Sequence, residues 1–122
     1  MTTVTTQRRT LSASTLTGDS VRNPQNEDLG KVEDLMIDLE SGRVAYVVLS
    51  FGGFLGMGDK LFAVPFGAMK LDTADHAFVL DVPKDRLKTA PGFDKSHWPD
   101  LTDTDLRTRI YDFYNVPHYW EE

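Results

Sequence analysis

The sequence predicts a mainly β fold, a small β-barrel followed by short helices, and three observations support this. Turn-forming residues recur at intervals of roughly 8 to 20 residues as far as Asp81, a spacing typical of all-β domains. The run Val44 to Phe51 is apolar on both faces, as expected for a central strand that is covered on both sides. Helical periodicity begins only after Pro83, which argues against alternating β and α units.

The first ten residues predict a flexible tail, because Met1 to Thr10 is polar and offers no buried face. The segment ends close to the basic pair Arg8 and Arg9 and lacks the apolar centre of a secretory signal, so we expect a cytoplasmic protein. The chain of 122 residues suits a single barrel domain over residues 11–93, followed by a C-terminal helix and aromatic extension over residues 94–122.

Short elements are expected at the start of the barrel. Ser12 to Leu16 predicts one helical turn before Gly18. Ser20 to Asn23 and Leu29 to Asp38 predict two strands, and Pro24 to Glu27 has the composition of the turn between them.

The second of these strands has apolar residues at every other position near its end. The residues on the predicted buried side are Leu35, Ile37 and Leu39. Asp34, Met36 and Asp38 lie on the opposite side, and the pattern predicts that one face is buried. Glu40 to Gly42 then reverses the chain, and Gly42 suits the positive φ that a tight hairpin requires.

Two further strands and a short helix complete the predicted barrel. Leu61 to Phe66 is a strand in which Pro65 indicates an edge or a bulge, because proline has no N–H to donate to a neighbouring strand. His76 to Asp81 is the next strand. Pro83 to Ala90 predicts a two-turn helix with proline at its first position.

A second, amphipathic helix is predicted near the C-terminus. Thr102 is the expected N-cap, with Asp105 three residues later, and Leu101 and Leu106 occupy the positions of a hydrophobic staple. The apolar stripe of this helix consists of Leu106, Ile110, Phe113 and Tyr114. Asn115 is expected to end the helix, which must pack its stripe against another surface.

The composition excludes several classes of function. Lys and Arg total 13 against 19 Asp and Glu, and the net charge of −6 argues against a nucleic-acid partner. No apolar run approaches the ~20 residues that a membrane span needs. The absence of cysteine excludes disulfides, thiolate metal sites and thiol nucleophiles.

A glycine-rich loop is expected between the third and fourth strands, and two interpretations of it stay open. Its glycines are Gly52, Gly53, Gly56 and Gly58. The loop contains no Gly-Lys-Ser/Thr, and its spacing is not Gly-x-Gly-x-x-Gly. A strand follows the loop, whereas a phosphate site would need a helix N-terminus there. The glycines therefore indicate a wide hairpin, or else the loop presents Phe54, Leu55 and Met57 to a partner.

Other reactive groups do not form a recognisable site. Asp34, Asp38 and Glu40 lack the register of a calcium-binding loop and lie where acidic residues are common in hairpins. The histidines, His76, His97 and His118, have no metal-binding spacing. Neither Ser50 nor Ser96 lies in a nucleophile elbow, so no catalytic, cofactor-binding or metal-binding residue is predicted.

The C-terminal aromatic residues predict either core packing or an interface. They are Tyr111, Phe113, Tyr114, Tyr119 and Trp120. A barrel of about 80 residues offers limited surface for both a helix and an aromatic tail, and Tyr, Trp and Phe are common in protein interfaces. We therefore predict a homodimer whose candidate partner surface consists of Phe54, Leu55, Met57, Tyr111, Tyr114, Tyr119 and Trp120.

Several segments together resemble one known family. These segments are Glu27 to Asp34, Gly42 to Val44, Gly52 to Lys60 and Ala63 to Phe66. They closely resemble the PRC-barrel family, whose domain is shared by the photosynthetic reaction-centre H subunit and a ribosome maturation factor. Ala90 to Asp94, Trp98-Pro99 and Tyr119-Trp120 are similar to the tail of free-standing bacterial members.

The resemblance implies a six-stranded barrel that acts as an interaction or assembly module without a shared catalytic activity. The residues expected to be structural are Gly30, Gly42, Gly52, Gly53, Gly56, Gly58, Pro65, Trp98 and Pro99. The N-terminal segment is unlike the membrane-spanning helix of the reaction-centre subunit, and the chain has no room for the extra domain of the ribosome factor. An RNA- or ribosome-associated factor, a photosynthetic or electron-transport accessory and an unrecognised enzyme remain as alternatives.

Overall fold

The computed structural model describes residues 10–52, 59–72 and 77–121. Its strands are β1 (Ser20–Arg22), β2 (Asp28–Ile37), β3 (Val44–Gly52), β4 (Asp59–Pro65), β5 (Met69–Asp72), β6 (Ala77–Leu80) and β7 (Gly92–Asp94). Its α-helices are α1 (Ala13–Leu16), α2 (Lys84–Leu87) and α3 (Thr104–Phe113), and 3₁₀ turns occur at Phe66–Ala68 and Tyr119–Glu121. The predicted strand at His76, and the loop residues Gly53, Phe54, Leu55, Gly56, Met57 and Gly58, lie wholly or partly outside the described residues.

The described strands form one seven-stranded sheet in the order β5-β6-β1-β2-β3-β4-β7. All neighbours are antiparallel except β1 and β6, which are parallel. Within the described ranges, no backbone pairing joins β5 to β7, so hydrogen bonds do not close the sheet. The mainly β, barrel-type fold is confirmed, and the sheet has one strand more than the six that the resemblance implied.

Two strands of the sheet, β5 and β7, are not among the five that the sequence pattern predicts. Gly92–Asp94 of β7 pairs with Lys60 to Phe62 of β4. β4 is therefore not an edge strand along that stretch. Pro65 is the last residue of β4, beyond the residues that β7 covers, and its missing N–H removes no bond to β7 there.

The core is centred on β3, as its two apolar faces predicted. Residues 45–49 of this strand are all buried, and Phe51 is buried as well. The largest side chains that pack with it include Phe62 of β4, Phe78 of β6 and Leu29 of β2. A strand that lies at the centre of the sheet and is covered on both faces is buried along almost its whole length.

The end of β2 differs from the prediction of one buried face. Its pairing with β3 is irregular between Val32 and Asp34 and again between Met36 and Ile37. The first irregularity places an extra residue, Glu33, in β2, and the second places an extra residue, Ala45, in β3. Ile37, the last residue of β2, is 48% exposed, and Leu39 in the turn after it is 92% exposed.

The helices are shorter or begin later than predicted. α2 makes one turn, Lys84–Leu87, with Pro83 as its N-cap residue. The N-cap of α3 is Asp103, not Thr102, because the Asp103 carboxylate accepts hydrogen bonds from the N–H groups of Asp105 (2.9 Å) and Leu106 (3.3 Å). A carboxylate at this position also interacts favourably with the helix dipole.

The C-terminal end of α3 agrees with the prediction. Asn115 has a φ of 58°, and its N–H donates to the carbonyl of Asp112 at 3.1 Å. The N–H of Val116 donates to the carbonyl of Tyr111 at 3.0 Å, which completes a Schellman motif. This motif directs the last residues back across the start of β3.

The apolar stripe of α3 packs against the barrel. Ile110 and Tyr114 are buried, and Leu106 and Phe113 are half-buried against the same core. Tyr111 lies beside the stripe, and its hydroxyl donates a 2.7 Å hydrogen bond to the carbonyl of Ala45 on β3. The helix is therefore fixed to the barrel by both apolar contacts and a buried hydrogen bond.

Candidate interaction groove

The turn between β2 and β3 projects apolar residues away from the barrel. One carboxylate oxygen of Asp38, Oδ1, accepts from the N–H groups of Glu40 (3.0 Å) and Ser41 (3.4 Å). Gly42 has a φ of +75°, and its N–H donates to the Asp38 carbonyl at 2.8 Å. These bonds fix the turn with Leu39 pointing into solvent.

A groove of about 550 Å³ lies beside this turn, and we call it the hairpin groove. It is lined by Met36, Ile37, Asp38, Leu39, Glu40, Ala45, Tyr46, Leu101, Thr102, Arg107, Tyr119 and Trp120. One wall comes from the β2–β3 hairpin, and the other comes from α3 and the segments on either side of it. The hydroxyl of Tyr46 donates to the Leu101 carbonyl at 3.4 Å and links the two walls.

The C-terminal segment is held against the hairpin by polar and aromatic contacts. The Tyr119 hydroxyl donates to Oδ2 of Asp38. The guanidinium carbon of Arg43 lies 5.0 Å from the centre of the Tyr119 ring. Trp120 packs edge-on against Tyr111, with ring centres 4.7 Å apart. Tyr119 and Trp120 therefore form part of the groove wall within the same chain.

These contacts shift the ionisation of the groove residues. The hydrogen bond from Tyr119 stabilises the charged form of Asp38 and lowers the pKa of its carboxyl. Burial, followed by the bond to Asp38, raises the pKa of the Tyr119 hydroxyl. Burial raises the pKa of Tyr46 to about 12. At neutral pH the Asp38 carboxylate is therefore ionised and accepts hydrogen bonds at both oxygens, and the phenols of Tyr46 and Tyr119 are neutral.

Arg107 brings a positive charge into the groove. Its guanidinium carbon lies 4.1 Å from the centre of the Trp120 ring, a cation–π contact. Its Nε is buried and has no hydrogen-bond partner in the described part of the chain. Across residues 10–52, 59–72 and 77–121, no carboxylate forms an ion pair with Arg107.

His118 supports the groove wall from behind. Its ring stacks on Trp120 at 4.9 Å with an angle of 4° between the planes. Its Nε2 lies 2.7 Å from an oxygen of Asp112, and its Nδ1 lies 3.3 Å from an oxygen of Glu121. The bond to Asp112 is the main cause that raises the pKa of His118, and the imidazolium form binds both carboxylates.

The structure distributes the predicted partner residues between the core and the surface. Tyr111 and Tyr114 are buried, with exposed fractions of 3% and 9%, and so belong to the core rather than to a surface. Tyr119 and Trp120 lie in the groove wall. Phe54, Leu55 and Met57 fall outside the described residues.

The residues predicted to be structural occupy varied positions. Gly30 has a φ of +112°, and a Cβ placed there would lie 2.1 Å from the backbone oxygen of Ser50. Gly52 ends β3 and pairs with the first residue of β4. The Trp98 ring lies 5.1 Å from the Phe93 ring of β7 and is 38% exposed. Pro99 lines a smaller recess of about 310 Å³ beside the start of α3.

Sequence reasoning missed Ile37, Leu39 and Arg107 as groove residues. The period-two pattern assigned Ile37 and Leu39 to the core, and nothing in that pattern marks a bulge. The position of Arg107 in the sequence does indicate a groove residue. It precedes Tyr111 by one helical turn, so both side chains lie on the same side of α3. A cation on the packed side of an amphipathic helix indicates either a buried ion pair or a binding surface.

A second, more polar recess lies beside β1, the start of β2 and the end of β3. It has a volume of about 490 Å³, and its polar side chains include Ser20, Arg22, Asp28, Lys31 and Ser50. Arg22 pairs with Asp72 at 2.7 Å and so is already engaged there. No group of three or more His, Asp or Glu side chains with metal-binding geometry occurs in the described ranges. No helix within them is both long and apolar enough to cross a membrane.

Comparison with known proteins identifies the family of the barrel. No curated protein matches the chain. A family model described as the PRC-barrel domain matches residues 9–87, more than half of the 122 residues. The match ends at the last residue of α2, so the hairpin wall of the groove lies inside it and Leu101, Arg107, Tyr119 and Trp120 lie outside. The chain belongs to the PRC-barrel domain family.

Proposed function

We propose that this protein is a non-catalytic interaction module that forms a homodimer through the hairpin groove. The observation that carries the proposal is the exposure of Leu39 (92%) and Ile37 (48%) at the rim of a groove with an aromatic wall. Exposed apolar groups that form a contiguous patch commonly mark a protein-binding surface. Single exposed apolar residues elsewhere, such as Leu71, carry no such meaning.

Burial of Leu39 would favour association. Complete burial of a leucine side chain contributes about 1.5 to 3 kcal/mol, and a symmetric dimer buries the same residue twice. The resulting gross contribution of roughly 3 to 6 kcal/mol offsets part of the roughly 4 to 15 kcal/mol that association costs, and the rest of the groove must supply the remainder. The net charge of −6 further supports a protein partner over a nucleic acid.

The ionisable groups of the groove support a role in binding rather than in catalysis. The two oxygens of the Asp38 carboxylate accept hydrogen bonds from the turn and from Tyr119, and its pKa is lowered. A general base needs a pKa near the working pH, and these hydrogen bonds move the pKa of Asp38 away from neutral pH. The raised pKa of the Tyr46 hydroxyl likewise keeps it neutral.

The test is the molar mass in solution of the wild type and of an Ile37→Ser, Leu39→Ser variant. We expect the wild type to be dimeric at micromolar concentration by light scattering and the variant to be monomeric with an unchanged circular dichroism spectrum. Leu71→Ser is the matched control, because Leu71 is 37% exposed on β5 and outside the groove. A monomeric wild type, or a variant as dimeric as the control, would refute the proposal.

A further inference from the structure

We propose that the dimer is two-fold symmetric, with the Leu39-Glu40 turn of each copy in the hairpin groove of the other. In this arrangement the Glu40 carboxylate pairs with Arg107 of the partner subunit. The inference rests on the proposed function and goes further, because it names the register and the polar contact of the interface.

The groove provides a cation that forms no ion pair with a carboxylate in the described part of the chain. The Nε of Arg107 is buried without a hydrogen bond, and its guanidinium lies over the Trp120 ring. A buried N–H group that has lost its hydration without gaining a hydrogen bond favours an incoming acceptor. Guanidinium and carboxylate groups match in geometry and form two parallel hydrogen bonds. The groove is therefore complementary to an incoming carboxylate.

The turn provides a matching carboxylate beside an apolar side chain. Glu40 is exposed, and its carboxylate forms no hydrogen bond or ion pair with the described part of the chain. It directly follows Leu39, which is the most exposed large apolar residue within residues 10–52, 59–72 and 77–121. Asp38 cannot replace it, because both of its oxygens already accept hydrogen bonds.

The position of these groups fits a two-fold interface. In such an interface one patch faces its own copy, so the two members of each contact must lie on the same patch. Leu39, Glu40 and Arg107 all line the hairpin groove. Each copy thus presents a projecting apolar residue with an adjoining carboxylate, and a groove with an aromatic wall and a guanidinium that has no ion pair in the described ranges. A second copy therefore supplies an apolar residue and a carboxylate to the groove, and a groove to the turn.

The experiment reverses each charge singly and then combines the variants. Glu40→Arg and Arg107→Glu each place like charges opposite one another twice in a symmetric dimer, and each is expected to weaken dimerisation by about 100-fold. An equimolar mixture of the two variants is expected to restore a heterodimer near wild-type affinity, because both contacts then join opposite charges. Dissociation constants are measured by analytical ultracentrifugation, and heterodimers are detected by native mass spectrometry.

Two control variants separate the specific contact from a change of net charge. Arg109→Glu lies two residues after Arg107 on an exposed position of α3, and Asp81→Arg lies in an exposed position after β6. Neither residue lines the groove, so both controls are expected to dimerise like the wild type. Glu40 lies in an exposed turn, so Glu40→Arg keeps the test valid even if Arg107→Glu disturbs α3.

The outcomes distinguish this inference from the proposed function. A monomeric wild type refutes both. A dimeric wild type whose affinity is unchanged in Glu40→Arg refutes the Glu40–Arg107 contact and leaves the homodimer standing. Single variants that lose affinity while their mixture does not recover it refute the reciprocal two-fold register.

Discussion

The first half of β2 and the end of β2 with the turn after it have similar apolar content and opposite surroundings. In the first half, Leu29 and Val32 are 0% and 2% exposed. In the second half and the turn after it, Ile37 and Leu39 are 48% and 92% exposed. Hydrophobicity alone therefore does not decide which part of the strand belongs to the core. The backbone decides, because the extra residue after Val32 changes which side the rest of β2 faces, and Ile37 and Leu39 lie at the end of the strand and in the turn beyond it.

The contrast between the buried start and the exposed end of β2 fits the proposed binding surface. The first half lies between β1 and β3 and is closed on both sides by neighbouring strands. The second half extends beyond β1, whose pairing with β2 ends at Lys31, and it forms one wall of the hairpin groove. A strand that extends beyond its neighbour can present apolar side chains to another molecule without weakening the core.

Truncation of one leucine in each half is the strongest test of this comparison. Leu29→Ala is expected to lower the free energy of unfolding by about 3 to 5 kcal/mol, because it removes a fully buried side chain. Leu39→Ala is expected to change it by less than about 0.5 kcal/mol in the monomer. The measurement is urea denaturation at a concentration low enough to populate monomers. Similar losses in both variants would contradict the division of β2 into core and surface halves.

Substitution of the glycine near each end of β2 is expected to give the next largest difference in the free energy of unfolding. In Gly30→Ala, the new Cβ meets the Ser50 carbonyl at 2.1 Å and the φ of +112° is unfavourable, so we expect a loss of about 2 to 4 kcal/mol. Gly42→Ala also has a positive φ, but a Cβ there has nothing within 4 Å, so a loss of about 1 kcal/mol is expected. Thermal unfolding followed by circular dichroism compares the two. Equal shifts in Tm would show that the positive φ alone determines the loss of stability, and that the close approach of β3 to Gly30 contributes nothing to it.

The sequence predicted the fold where local pattern and tertiary environment agree. Val44 to Phe51 is apolar on both faces and of strand length, which predicts a central strand, and the stripe of α3 is predicted by the period of its apolar residues. β7 was missed because three residues after a proline carry too little pattern to indicate pairing with β4. The N-cap was placed one residue early because both Thr102 and Asp103 can cap a helix.

The groove was less predictable than the fold. Tyr119 and Trp120 were assigned to a partner surface from their residue types, and they do line the groove. Tyr111 and Tyr114 have the same residue types and lie in the core, because α3 turns them toward the barrel. A groove depends on how two distant segments meet, here the β2–β3 hairpin and residues 101–120, and a single sequence does not encode that meeting in a local pattern.

Two tyrosine hydroxyls hold the C-terminal region, one by a contact in the core and the other by a contact at the groove wall. Tyr111→Phe removes a buried hydrogen bond to the Ala45 carbonyl and is expected to cost about 1 to 2 kcal/mol in the free energy of unfolding. Tyr119→Phe removes the bond to Asp38 at the groove wall, where water can replace it, and is expected to cost less than about 1 kcal/mol. Urea denaturation at pH 7 measures both. A larger cost for Tyr119→Phe would show that the groove wall, rather than the core contact, fixes the C-terminal region.

The smallest expected effect is a pH dependence of the groove wall that comes from His118. Its pKa is raised above the ordinary value of 6.5, chiefly by Asp112, so its contribution to stability is fully present below about pH 6.5 and is lost as pH rises through the folded-state pKa. Because the ring stacks on Trp120, the fluorescence of that tryptophan should change over the same range. A Trp98→Phe background isolates the signal, and its midpoint should lie above pH 6.5. Asp112→Asn should lower the midpoint and His118→Gln should abolish the transition, whereas a midpoint at or below 6.5 would show that the contact with Asp112 does not hold the imidazolium against Trp120.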